Sequence, residues 1–161
     1  MENEDTQKSI MRRAVECYAD CIFRVAYQYL GNRQDCEDIV QEVFLALVKR
    51  LRLDSFNDDE HMKAWLIRVA INKSINFVKY NARRRTSPIY IAPQPEGENF
   101  SALYEELNRL PAEDREIIYL HYYEGYTAKE IARFIGSGEN AVHKRLSRAR
   151  EKLKNYLTEG E

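Results

Sequence analysis

The sequence predicts an all-α protein made of two small helical domains joined by an extended linker. Three observations carry this prediction. Apolar residues recur at three-and-four spacing almost throughout the 161 residues. Residues 86–100, TSPIYIAPQPEGENF, hold three prolines and one glycine in fifteen positions, a density that no helix survives. Near the end, IARFIGSGENAVHKRLSRAREKLKNYL reads as two helices joined by a short glycine turn. The expected division is residues 1–85, a linker over 86–100, and residues 101–161.

The elements follow in order. From Val15, the residues Ile22, Val25, Ala26, Tyr29 and Leu30 keep a helical rhythm that stops at Gly31 and Asn32. QDCEDIVQEVFLALVKRL is a second helix. Its apolar stripe is Ile39, Val40, Val43, Phe44, Leu47, Val48 and Leu51, and Asp35, Glu37 and Asp38 sit in its first turns, where the helix dipole favours acids. RLDSFNDDE is read as a loop. A third helix starts near Glu60, with Trp65, Leu66, Val69, Ala70, Ile75 and Phe77 as core candidates. After the linker, SALYEELNRL precedes PAEDREIIYLHYYEG, where Pro111 marks a helix start. No internal repeat is present.

Composition excludes several classes. Hydrophobic residues make up 44 %, too many for a disordered chain, and no apolar run approaches the roughly 20 residues of a membrane span. The opening MENEDTQKSIMRR is acidic and polar, unlike a signal peptide, so cytoplasmic residence is the expectation. Cys17, Cys21 and Cys36 form no disulfide framework. Cys17 and Cys21, four apart, are expected as small buried residues, and no nearby histidine completes a zinc set. His61, His121 and His143 are scattered, no carboxylate pair forms an acid–base arrangement, and no phosphate loop occurs. Neither catalysis nor a cofactor is expected.

The net charge of -1 hides a segregated pattern. Residues 1–60 carry eight basic and thirteen acidic side chains, whereas residues 61–85 carry seven basic and none acidic. Residues 86–128 hold two basic and eight acidic, and residues 129–161 hold eight basic and five acidic. Two basic blocks separated by acidic ones suggest two contacts with a polyanion, and solvated helix faces are the plainer alternative.

The C-terminal helix pair meets the demands of a helix-turn-helix. Ala132 is the small residue where the second helix crosses, Gly136 makes the turn, and Val142 anchors the second helix. Thr127 can cap the first helix, with Glu130 completing a capping box. Val142, Leu146, Ala149 and Leu153 share one stripe, which must face the protein. Asn140, His143, Lys144, Ser147, Arg148 and Glu151 then face outward or sideways. Arginine and lysine suit guanine edges or phosphates, and asparagine suits adenine. A solvated surface residue is the other reading of His143. Arg150, Lys152 and Lys154, toward the helix C-terminus, are expected to reach phosphates at most.

Three stretches together resemble the extracytoplasmic-function (ECF) group of sigma factors, promoter-specificity subunits of bacterial RNA polymerase. YLGNRQDCEDIVQEVFLALVKRL resembles the polymerase-binding part of sigma region 2. FNDDEHMKAWLIRVAINKSINFVKYNARRR resembles the promoter-melting part. LNRLPAEDREIIYLHYYEGYTAKEIARFIGSGENAVHKRLSRAREKL resembles sigma region 4. They cover nearly the whole chain in the family's order, and the extra regions of larger sigma factors are absent.

The resemblance implies three surfaces. Asp35, Asp38, Gln41, Glu42 and Leu45 are implied to meet the clamp helices of the largest polymerase subunit; a plain solvated face is the alternative. For the minus-ten element it implies Ser55, Phe56, Asn57, Arg68, Asn72, Lys73, Asn76 and Lys79, with Asn72 and the loop residues holding a flipped base. Arg83, Arg84 and Arg85 would grip phosphates. Trp65 and Phe77 also read as core anchors, whereas Phe56, with little local core to join, reads as functional. For the minus-thirty-five element it implies Asn140, His143, Lys144, Arg145, Ser147 and Arg148. Ala141 stands where the family commonly has a small polar residue, so the promoter sequence does not transfer from other members. The implied partners are core RNA polymerase, including the flap of its second largest subunit, promoter DNA and an anti-sigma factor, with the linker threading toward the active-site cleft. The competing reading is a stand-alone helix-turn-helix regulator with a helical ligand-binding or dimerisation domain.

Overall fold

A computed structural model describes residues 2–84 and 106–159, which form two helical units with no strand among the described residues. The expected linker, 86–100, and Arg85 lie outside the described residues, as do the side chains of Arg83 and Arg84.

The first unit is three helices, α1 (Glu2–Leu30), α2 (Arg33–Leu53) and α3 (Asp59–Arg84), each packed on the other two. α1 begins at Glu2, well before the expected Val15. Glu2, Glu4 and Asp5 lie in its first turn, where they favour the dipole. Tertiary contacts hold this polar extension: Gln7 Nε2 donates to the Leu51 carbonyl at 3.0 Å, and Arg13 meets Asp59 at 2.6 Å. Gly31 takes φ 68° between α1 and α2. Asn32 then caps α2, its side-chain oxygen accepting from the Asp35 N–H at 2.9 Å.

Ile22, Val25, Ile39, Val43, Leu47, Leu66 and Ala70 lie in the core, as their spacing predicts. Two expectations fail. The core stripe of α3 is Met62, Leu66, Ile67, Ala70, Ile71 and Ser74, while Trp65, Val69, Ile75 and Phe77 are only half-buried. Those four lie beside the stripe, where a single helix's pattern does not say which apolar edge the neighbours cover. Cys17 is exposed whereas Cys21 and Cys36 are buried. Cys17 sits at the edge of the α1 stripe, one turn before the buried Cys21. Burial pushes the Cys36 thiol up to about 12.

The second unit contains a helical turn at 106–109, α4 (Ala112–Ile118), a π-helical turn (Tyr119–Tyr123), α5 (Ala128–Ile135) and α6 (Glu139–Glu159). The sequence predicts one helix from Pro111; its last five residues are widened instead. The Glu124 N–H reaches the Tyr119 carbonyl at 3.2 Å. The wider turn keeps Leu120 fully buried while Tyr119 stacks on Tyr123 at 5.2 Å. Glu116 of α4 is wholly buried, and neither of its carboxylate oxygens has a hydrogen-bond partner among the described residues. Burial holds its carboxyl well above the ordinary range, with Arg115 opposing weakly.

Candidate nucleic-acid interface

The helix-turn-helix forms as its residues dictate. Thr127 Oγ1 accepts from the Glu130 N–H at 3.2 Å, and the Thr127 N–H donates to Glu130 Oε2 at 2.8 Å, closing the capping box. Gly136 ends α5 with φ 66°, the left-handed conformation glycine adopts without strain. A Cβ there would meet nothing within 4 Å, so the requirement is conformational and not spatial. Val142, Leu146 and Ala149 bury one stripe of α6, with Leu153 half-buried at its end.

The six upstream-element candidates divide. Asn140, His143, Lys144, Ser147 and Arg148 are exposed. Arg145 turns back to its own domain and pairs with Glu113 of α4 at 3.0 Å. His143 lies 3.6 Å from Glu139, within its own helix. Lys144 and Arg148 form no ion pair among the described residues, so their charge is open to an anion. Arg150 donates to the Tyr122 hydroxyl at 3.0 Å, a tie that reading α6 alone did not suggest.

The minus-ten candidates gather on the outer face of α3 and the loop before it. Arg68, Asn72, Asn76 and Lys79 are exposed, opposite the buried stripe. Ser55 and Asn57 are exposed in the loop, whereas Phe56 is half-buried. Phe56 does have a local core to join: its ring lies 5.6 Å from Trp65 and 5.3 Å from His61, with the Arg50 guanidinium at 5.4 Å. His61 and Arg50 are the part of this region that the sequence did not suggest, while Trp65 was already expected beside the strand-binding residues; folding brings all three to Phe56. The loop is fixed from its other end by Asp58, whose carboxylate accepts from the His61 N–H at 2.7 Å. Trp65 and Asn72 are seven residues apart and share one side of α3, so the aromatic cluster sits at the start of the face that carries Asn72.

The third surface is on α2. Asp38, Gln41 and Glu42 are exposed, and Leu45 is 61 % exposed. Asp35 is half-buried and its carboxylate accepts from Asn32, so it serves the helix cap. Glu42 approaches Lys73 of α3 at 3.8 Å, joining the polymerase-side and DNA-side candidates. Beside Leu45 runs an apolar groove of about 470 Å³, lined by Met11, Val15 and Ala19 of α1 and by Val40, Phe44 and Val48 of α2. The sequence reading put Val40 and Val48 in the core stripe of α2; both are only half-buried and line this groove.

Comparison with known proteins matches both units. The sigma-70 region 2 family model matches residues 14–84, and the sigma-70 region 4 model matches residues 100–153. The RNA polymerase sigma factor NccH of Alcaligenes xylosoxydans xylosoxydans is 31 % identical over 161 residues, covering 89 % of this chain and 84 % of its own. The ECF RNA polymerase sigma factor SigW of Bacillus subtilis is 25 % identical over 167 residues, covering 89 % and 86 %. The fold also matches the sigma factor RpoE in its co-crystal with the anti-sigma factor NepR from Bartonella quintana. That match has a TM-score of 0.75 at 21 % identity and covers 91 % of this chain and 96 % of the other.

Two helical units, one matching sigma region 2 and the other sigma region 4, define a sigma-70-type transcription initiation factor. The chain belongs to the ECF group of that family. The regulator reading falls, because the first unit is a region 2 domain and not a ligand-binding or dimerisation domain. No helix among the described residues is long and apolar enough to cross a membrane.

Proposed function

We propose that this protein binds core RNA polymerase in the cytoplasm, directs it to a set of promoters and opens them, without being a catalyst itself. The observation that carries this reading is the outer face of α3. Arg68, Asn72, Asn76 and Lys79 line one exposed side, on a segment without a single acid from residue 61 to 85. Cations hold a strand's phosphates there and amides hold base edges, so a melted strand gains contacts that a duplex lacks. Ser55, Phe56 and Asn57 complete the base-holding end, with Phe56 as an aromatic wall. Lys73 takes part once Glu42 is drawn to another partner.

The remaining surfaces take separate roles. Asp38, Gln41, Glu42 and Leu45, with the groove beside Leu45, form the contact for the clamp helices of the largest polymerase subunit. Asp35 supports that contact by fixing the helix start. The second unit binds the flap of the second largest subunit and sets α6 in the major groove of the upstream element. Asn140, His143, Lys144, Ser147 and Arg148 reach the DNA, and Arg145 holds α6 against α4. An anti-sigma factor that covers these polymerase contacts regulates the protein, a partner class supported by the complex in which the RpoE fold neighbour was solved.

Run-off transcription with purified core polymerase and genomic fragments tests the reading. Discrete start sites that require this chain are expected. Specific duplex binding by the chain alone, with no transcripts above core polymerase, overturns it.

A further inference from the structure

α6 is held on its two flanks in different ways. On one flank Arg145 pairs with Glu113 of α4 at 3.0 Å and Lys152 with Asp114 at 3.9 Å. Those charges are answered within the unit. On the other flank His143, Ser147, Arg150 and Lys154 recur at steps of four, three and four, so they share one side of the helix, and all four are exposed. Arg150 forms no ion pair among the described residues. Its Nη1 donates instead to the Tyr122 hydroxyl at 3.0 Å.

The neutral acceptor is what sets this tie apart. A carboxylate would fix the guanidinium and cancel its charge, whereas a phenol oxygen fixes its direction and leaves the charge whole. A guanidinium has five N–H donors, so one bond to Tyr122 leaves four for a second partner. Tyr122 is itself fixed from behind. Its ring meets that of His121 edge-on at 4.8 Å, and His121 Nδ1 lies 2.8 Å from the Tyr126 carbonyl. A carbonyl only accepts, so Nδ1 carries the hydrogen of that bond. The Tyr126 ring is buried against Phe134 of α5 at 4.8 Å. A line of contacts thus runs from the α5 core through the π-helical turn to the flank of α6. The turn that keeps Leu120 buried also presents Tyr122, 55 % exposed, to Arg150.

We propose that Tyr122 is a positioning residue that aims the Arg150 guanidinium at a phosphate beside the groove that α6 enters. The proposal rests on α6 being the upstream-element helix and adds an anchor held from another element. Arg150 lies on the flank and in the later half of α6, away from the N-terminal residues with which such helices reach bases. A free arginine loses rotamer freedom when it grips a phosphate, and one already tied to a phenol has less to lose. A phosphate carries no base identity, so the contact strengthens binding to every template alike.

The test uses core polymerase carrying the full chain and a promoter template found by run-off transcription. Affinity and its salt dependence are measured for the wild type, Tyr122→Phe, Arg150→Ala, both together, and Lys144→Ala with Arg148→Ala. Arg150→Ala is expected to weaken binding about tenfold, equally on templates altered in the upstream element, and to lower the salt slope by about 0.9. Tyr122→Phe is expected to weaken binding about threefold with an unchanged unfolding midpoint of the chain, and to cost nothing further once Arg150 is alanine. Unchanged binding by Tyr122→Phe or by Arg150→Ala overturns the proposal; if the Lys144 and Arg148 pair still matters, the groove reading of α6 stands without it. If none of the substitutions matters, both fall. A loss from Tyr122→Phe that persists in Arg150→Ala makes Tyr122 a DNA contact of its own, and a lowered unfolding midpoint makes it a packing residue. An Arg150→Ala loss confined to one base pair makes that arginine a base reader. Each of these three results overturns the proposal.

Discussion

Arg145 and Arg148 are three residues apart on α6 and have different partners. Arg145 is held by Glu113 at 3.0 Å, while Arg148 is exposed with no ion pair among the described residues. Arg148→Ala is expected to lower use of the cognate upstream element by about 1–3 kcal/mol if the guanidinium pairs with a base. Competition binding of holoenzyme against templates altered at single positions checks this. A uniform loss across templates identifies a phosphate contact instead. Spacing put Arg148 on the outer side and the family resemblance added Arg145; neither could show Arg145 turning away, because Glu113 is thirty-two residues earlier. Phe56 teaches the converse. Its neighbours in sequence are polar, so it looked solitary, yet Trp65, His61 and Arg50 surround it. Glu116 gives a prediction in pH. Its folded carboxyl is raised above the ordinary 4.5, so the folded second unit holds that proton more tightly than the unfolded chain. The associated stability is complete below about 4.5 and is lost as pH rises toward the folded value. Thermal unfolding followed across that range is expected to show a falling midpoint, and Glu116→Gln is expected to flatten the fall. An unchanged slope in Glu116→Gln assigns the pH dependence to other groups.

Among the helices, those with local signals were the ones readable in advance. The capping box of Thr127 and Glu130, the left-handed Gly136 and the Val142 stripe lie within sixteen residues, so local chemistry specifies them. Thr127→Ala is expected to destabilise the second unit by about 1 kcal/mol, read from denaturant unfolding. Unchanged stability means that solvent replaces the cap. The early start of α1 was hidden, because its residues are polar and their contacts, Gln7 to Leu51 and Arg13 to Asp59, are distant in sequence. The π turn was hidden for another reason. YLHYY fits an α-helix equally well, and the packing of Leu120 decides between them. α3 was placed within a residue of its start, but its core edge was misjudged. The half-buried Trp65 and Phe77 show that apolar periodicity marks a stripe more surely than the depth of each member.

For the molecule as a whole, the charge blocks mark its division of labour. The acidic and apolar surface of α2 and the part of α3 from His61 on, which carries no acid, belong to one three-helix unit, so the proposed polymerase and DNA contacts lie on neighbouring helices. The Glu42–Lys73 approach at 3.8 Å joins these two surfaces. Leu45, exposed beside the apolar groove, is the residue whose change separates them: Leu45→Asp is expected to weaken core binding at least tenfold, because it puts a charge into an apolar contact. Sedimentation or fluorescence titration with core polymerase measures that loss, and unchanged affinity removes Leu45 from the interface. The two-domain all-α organisation was readable from helical periodicity, and the proline-rich stretch lies outside the described residues. On the proposed reading, α3 opens DNA once core polymerase is bound. Permanganate reactivity of thymines near the start site, in complexes of core polymerase with the wild-type chain and with Asn72→Ala, tests it most directly. A reactive patch is expected with the wild type, absent with core polymerase alone, and strongly reduced in Asn72→Ala while core binding is kept. Equal reactivity in the two complexes, or reactivity and core binding lost together, contradicts it.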